Sequence, residues 1–287
     1  MTWVSVACGV ILSSVILYLF VRKANLQNIS IEMQNFGMFF LPTLLFLVYD
    51  LIAHVSLVIS LKYILFILAT AIFLSWLGNV FSLKALEKAP NPGYSLMISK
   101  SYVVLTSILS IWIFKSPLHT KDVVAILLIV GFSAVIMFSK SSSSKEKSIS
   151  WIFYTMGAFV CWAFLAIVLT YFTSKGLKAT QILFYLMLFV SIIIILELFL
   201  KKVKLFELEK SKVLTIFVIG VASAIFNLCL VFGYKLSPNP GYINAANAGS
   251  ISLVTIFSAI IFKDELGYKK IIGILGVLSG LLILFIK

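Results

Sequence analysis

Pro90-Asn91-Pro92-Gly93-Tyr94 recurs as Pro238-Asn239-Pro240-Gly241-Tyr242, 148 residues further along the chain. An unbroken run of five with two prolines does not arise from apolar composition, so the chain reads as two copies of one unit. Carried outward without a gap, the same offset pairs Ile113-Phe114-Lys115 with Ile261-Phe262-Lys263, and Leu118 and Lys121 with Leu266 and Lys269. It also pairs Trp3 with Trp151, Gly9 with Gly157 and Asn79 with Asn227. The motif has a local logic. A proline disfavours helical geometry in the residue before it. Asn91 and Asn239 then suit N-caps, and Pro92 and Pro240 suit the first helical position, where a missing N–H costs nothing. Gly93 and Gly241 allow close packing at a tight reversal. Pro90, Asn91, Pro92 and Gly93, like Pro238, Asn239, Pro240 and Gly241, are expected to be structural turns between helices.

The 287 residues around this motif are 62% hydrophobic and 11% charged, with a mean hydropathy of +1.14. A soluble domain keeps more charge. Apolar stretches of about 20 residues, the length that crosses a bilayer, follow one another with short polar gaps. They predict ten helices at 2–21, 36–57, 63–86, 92–114, 121–139, 150–173, 181–200, 213–235, 240–262 and 269–286. Helices 2 and 3 are divided because their combined length is too great for one span, with the turn expected at Lys62. The fold class is all-α integral membrane, with two five-helix repeats at 1–139 and 150–287. Lys140, Ser141 to Ser144, Lys145, Glu146 and Lys147 mark a polar linker at 140–149. Because five is odd, the second copy starts on the opposite side of the membrane, so the repeats lie inverted.

The net charge of +13 is concentrated in the loops, which points to membrane topology and anionic headgroups rather than nucleic acid. Basic residues concentrate in loops after odd-numbered helices, which by charge favours termini outside the cytoplasm. Cys8, Cys161 and Cys229 lie singly inside apolar runs and are expected to be buried thiols, with no disulfide framework or metal site. Thr2 to Val21 has no basic residue before it and reads as a retained first helix.

With its two five-helix halves and a proline turn before helices 4 and 9, the sequence resembles the ten-helix EamA-like members of the drug/metabolite transporter superfamily. Ile261-Phe262-Lys263-Asp264-Glu265-Leu266, followed by Lys269, Gly273, Gly276 and Gly280, adds to the likeness. The first copy departs from it, with Ser116 and Pro117 where Asp264 and Glu265 stand. The resemblance implies a substrate cavity between the halves, lined mainly by helices 1, 3, 4, 6, 8 and 9, with both termini cytoplasmic. It implies transport, on a scaffold that serves amino acids, other metabolites and drugs alike.

Polar residues in apolar helices are costly and mark candidate function. Lys100 is the one basic residue placed inside a span, and its repeat mate is Ala248. Either it faces the cavity and attracts an anion, or it snorkels or pairs with an acid such as Glu87 or Asp50. Asn244 and Asn247 lie with Thr255 and Ser258 near one face of helix 9; Ser95, Ser99, Tyr102, Thr106 and Ser110 line helix 4. The asparagines favour the cavity, and the Ser and Thr residues favour helix packing. Asn79 and Asn227 occupy matching sites in helices 3 and 8, where packing and substrate contact are both open. The candidate substrate-binding residues are Lys100, Asn79, Asn227, Asn244 and Asn247. Asp50 and His54, one turn apart, are expected in the interfacial zone. Trp3 and Trp151 are expected to anchor helix ends, and Trp76, Trp112 and Trp162 to lie deeper.

No phosphate loop, HExxH pair or Ser/His/Asp set occurs, so neither a catalytic set nor a cofactor or metal is expected. The expected partners are a small-molecule substrate and the lipid bilayer, not nucleic acid, in a multi-pass protein of the cell membrane (inner or plasma). The function expected is a secondary transporter or exchanger of a small polar metabolite, an amino acid or organic anion. A lipid flippase or other lipid-handling protein, and a non-transporting membrane adaptor, are the alternatives.

Overall fold

The computed structural model describes residues 2–88, 95, 98–138, 150–202, 209–263 and 266–286. The first motif copy (90–94), the linker at 140–149, Asp264, Glu265 and the Glu87 side chain lie outside the described residues. Ten helices run in order: α1 (Trp3–Leu26), α2 (Ile31–Ile52), α3, α4 (Ile98–Phe114), α5 (Thr120–Phe138), α6 (Ser150–Ser174), α7 (Ala179–Leu200), α8 (Lys210–Leu236), α9 (Pro240–Phe262) and α10 (Tyr268–Phe285). Helix α3 joins Leu61–Thr70, a π-helical turn at Ala71–Trp76 and Leu77–Lys88. Eight of the ten are long and apolar enough to cross a membrane. Large apolar side chains such as Leu12, Ile16, Phe153, Phe199 and Leu275 point outward. In water such a surface would be an interaction patch of unusual extent; around a bundle of these helices it is the lipid face.

The inverted repeat is written into the backbone. Six described residues have left-handed φ, and they form three pairs at the repeat offset: Asn28 with Gly176, His54 with Lys202, Lys115 with Lys263. Helix packing obeys the same exchange. Helices α1 and α8 pack as α6 and α3 do, α1 and α9 as α6 and α4, and α2 and α8 as α7 and α3. The pairs α2–α7, α4–α9 and α5–α10 each map onto themselves. A Cβ on Gly9 would meet Cys229, and one on its mate Gly157 would meet Phe81, the mate of Cys229. On the two-fold relation itself, Thr43 Oγ1 lies 3.2 Å from Ser191 Oγ, its own repeat mate.

Two departures from symmetry stand out. Helix α6 packs on α8, whereas α1 and α3 make no comparable contact. The π-turn of α3 has no counterpart at 219–224, where α8 is regular. A π-turn leaves a backbone carbonyl outside the usual helical ladder, and here the Cys161 thiol of α6 donates to Phe73 O at 3.5 Å.

Some expectations are corrected. Helix α2 begins five residues earlier than the predicted 36 and ends at Ile52, so His54 lies beyond it. The turn before α3 is 53–60, not Lys62, which sits in the first turn of α3. That connection is held by the Gln181 side chain on Ser56 O and by Tyr185 OH on Leu57 O at 2.7 Å. Cys8 is exposed on the lipid side of α1, with Leu12 and Ile16, rather than buried. Trp112 is 81% exposed near the end of α4 rather than deep. Asp50 is fully buried near the end of α2, at the α2–α7 contact close to Thr180 and Lys178.

Candidate substrate site between α1, α4, α8 and α9

Helix α9 enters the bundle at Asn239, whose Oδ1 accepts from Gly241 N at 2.8 Å and caps the helix, with Pro240 in the first turn. This fixes the direction of the next two turns, and Asn244 and Asn247 project on one face three residues apart. Both are buried. Tyr102 of α4 links them. Its OH donates to Asn244 Oδ1 at 3.3 Å and accepts from Asn247 Nδ2 at 3.4 Å. Tyr234 of α8 donates to the same Asn244 Oδ1 at 2.7 Å. Ser14 of α1 donates to Asn247 Oδ1 at 3.3 Å and lies 2.9 Å from Ser250 Oγ. One hydrogen-bond network thus ties four helices across the two halves. Asn244 Nδ2 is buried and makes no hydrogen bond.

Lys100 stands beside this network, two residues before Tyr102. Its Nζ donates to Tyr18 OH at 2.9 Å and lies 5.1 Å from the Tyr18 ring centroid. Tyr18 shares its face of α1 with Ala7, Ile11 and Ser14, turned from the lipid-facing Leu12 and Ile16. It is 36% exposed, and Lys100 is half-buried. The buried network therefore has an accessible mouth. Among the described residues no carboxylate lies within ion-pair distance of Lys100.

Lys100, Asn244 and Asn247 are thus brought together; Asn79 and Asn227 are not part of that network. Asn79 Nδ2 donates to Asn35 Oδ1 of α2 at 3.2 Å. Asn227 Nδ2 donates back to Ser223 O at 2.9 Å, and Ser223 Oγ donates to Met38 O of α2 at 2.8 Å. Both asparagines are half-buried and lead to α2, but the repeat preserves the residue and not its bond. Thr106, Ser110 and Thr255 donate to carbonyls four residues back in their own helices. Ser14, Tyr18 and Tyr234 were not singled out by sequence. The legible signal was the four-residue step from Ser14 to Tyr18, which stacks two polar groups on one face of an apolar helix.

The second motif copy also does more than turn. Asn239 Nδ2 donates to Ser107 O at 3.3 Å, and Tyr242 OH donates to Asp122 Oδ2 at 2.6 Å. Trp3 packs on the Tyr242 ring at 5.7 Å. Gly241 lies against Ser107 so closely that a Cβ would have no room. The start of α9 is in this way fastened to α4 and α5 of the other half.

No curated protein matches the chain. The EamA-like transporter family matches residues 149–286. One solved structure, described as the crystal structure of a protein, shares the fold with a TM-score of 0.83 at 13% identity, covering 98% of this chain and 95% of that one. The matched stretch is the second repeat, which is similar to the EamA-like transporter family, and the first repeats it in sequence and in backbone.

Proposed function

We propose that this membrane transporter is a secondary carrier or exchanger of a small polar metabolite, of the amino acid or organic anion class, working by alternating access. Lys100, Asn244 and Asn247 bind the substrate, and Asn79 and Asn227 line its path from the opposite helices of the repeat. The units that move are 1–139 and 150–287, joined at 140–149.

The observation that carries this reading is the polar network at the meeting of the halves, with Lys100 at its accessible edge. A cation in a span without an acidic partner is expensive, and a protein retains one where function needs it. The asymmetric packing supports alternation: α6 closes on α8 while the equivalent α1 and α3 make no comparable contact. Exchanging those two arrangements exchanges the two sides of the membrane.

The test is counterflow in proteoliposomes loaded with mixed amino acids, organic acids, sugars and phosphorylated metabolites, read by mass spectrometry. Selective efflux of one class, absent from protein-free liposomes, is expected. Retention of every solute, with and without a proton gradient, refutes the carrier reading.

A further inference from the structure

We infer that the Lys100 site selects an organic anion that carries no ammonium group, and discriminates against the zwitterionic amino acids that the broader class would admit. The inference rests on the carrier reading above and narrows it.

It follows from a donor and acceptor inventory. Asn244 Oδ1 has two lone pairs, and both are engaged, by Tyr102 and Tyr234. Asn247 Oδ1 takes the Ser14 hydroxyl, and its Nδ2 is given to Tyr102 OH. The Tyr102 hydroxyl therefore both donates and accepts. Asn247 Oδ1 and the hydroxyls keep lone pairs, so the acceptors that remain are neutral, while the one charge at the site is a donor. Lysine has three N–H donors and no acceptor, and one of them is used on Tyr18. Tyr18 accepts that bond and keeps its own O–H to give. The buried Asn244 Nδ2 gives nothing.

A site whose one charge is a cation and whose acceptors are all neutral is completed by a ligand that brings anionic acceptors. A carboxylate or phosphate does so, and it also neutralises Lys100, which has no acidic partner among the described residues. An amino acid would bring an ammonium as well. That group would find no carboxylate among the described groups of this network, and it would stand against the Lys100 charge where water is scarce and screening weak. The repeat mates give no second site of this kind: Lys100 maps to Ala248 and Asn244 to Leu96. The selectivity is set on one side of the α4–α9 pair.

The experiment uses the full chain in phosphatidylcholine vesicles. Counterflow of succinate, phosphoenolpyruvate, serine, lysine and glucose is measured for the native protein, Lys100→Met and Asn244→Asp. Asn244→Asp keeps an oxygen for Tyr102 and Tyr234 while turning the unspent donor into an acceptor, so it separates selectivity from folding. Each variant is first checked for a native melting temperature in detergent. The expected result is exchange of succinate or phosphoenolpyruvate at least tenfold faster than of serine, on the order of one to two charge-assisted bonds. Both variants are expected to lose that exchange about tenfold or more. Serine exchange equal to that of the anions, or anion exchange unchanged in Lys100→Met, overturns the inference while leaving the carrier reading intact. A lipid source of the anion is tested by adding phosphatidylglycerol. Scrambling of that lipid, sensitive to Lys100→Met and without succinate or phosphoenolpyruvate exchange, overturns the assignment to a soluble anion. No movement of any solute or lipid removes both readings.

Discussion

Gly220 sets how closely α8 approaches α2. A Cβ built on it would stand 2.7 Å from the Gly37 carbonyl oxygen, and 2.7 and 2.8 Å from Leu41 Cδ2 and Cβ. The leucine tip can rotate away, but its Cβ and the carbonyl are fixed to the backbone of α2. In Gly220→Ala the strain is relieved only by parting the two helices. Overpacking of that kind costs about 1–3 kcal/mol, against which alanine regains roughly 0.5–1 kcal/mol of helix propensity. Gly131, in α5, has nothing within 4 Å of its would-be Cβ, so Gly131→Ala collects only the propensity gain. The two variants should therefore differ by about 1–3 kcal/mol, the propensity terms cancelling, which corresponds to roughly 2–12 °C in melting temperature for a chain of this size. The assay is thermal unfolding of detergent-purified protein, followed by tryptophan fluorescence. Gly220→Ala should melt below the native protein and Gly131→Ala at or above it. A Gly220→Ala protein that melts with Gly131→Ala would refute the claim that the α2–α8 approach is set by backbone contact.

Tyr242→Phe removes the 2.6 Å bond to Asp122, which is 3% exposed and still accepts from the His119 N–H at 3.1 Å. It should destabilise the protein by about 1–3 kcal/mol, read as a lower melting temperature. Thr43→Cys with Ser191→Cys, in a background lacking Cys8, Cys161 and Cys229, should oxidise to a disulfide, because the native oxygens lie 3.2 Å apart. Mass spectrometry after cutting at a protease site introduced in 140–149 would find the halves still joined; two separate fragments would show that α2 and α7 do not meet there. Lys201→Ala breaks the 2.7 Å pair with Glu32, but Lys201 is 58% exposed, so stability should change by less than about 1 kcal/mol. The Glu32 hydrogen bond holds the Lys201 ammonium pKa above its usual value. That small contribution is present at neutral pH and is lost as pH rises through the raised lysine range or falls far enough to protonate Glu32, so melting curves of native and Lys201→Ala proteins should differ least at the two extremes of pH.

Ten helices and their repeat were legible because span length and a five-residue identity are properties of the chain itself. The proline-glycine turn was legible for the same reason in its second copy: Asn239 caps where Asn-Pro predicts a cap. The break before α3 was not, because Val55, Leu57, Val58 and Ile59 are apolar residues in a connection whose polar bonds come from Gln181 and Tyr185, far along the sequence. The site was half legible. Lys100, Asn244 and Asn247 stand out as costly polar groups in apolar helices; the structure joins the two asparagines through Tyr102 and places Lys100 two residues before it, on Tyr18. Asn79 and Asn227 looked equivalent from the offset, yet one meets Asn35 and the other its own helix, because the mate of Asn35 is Leu183. Ser14 and Tyr234 gain their role from the α1–α9 and α8–α9 contacts, which no local pattern encodes.

The contact between Thr43 and its own mate bears on energetics as well as shape. Were the halves identical, exchanging their roles would regenerate the same molecule facing the other way, and both orientations of access would have equal free energy and be equally populated at rest. Every position on the two-fold relation is neutral in that balance. The bias belongs to positions where the copies differ: the π-turn of α3, Lys100 against Ala248, Asp122 against Lys270. If the chain works by alternating access as proposed, a difference of about 1.4 kcal/mol summed over them would hold it tenfold toward one side at rest. On that proposal the preferred direction of readiness would be stored in the repeat's mismatches, and a substitution that copies one half into the other would move the balance toward even.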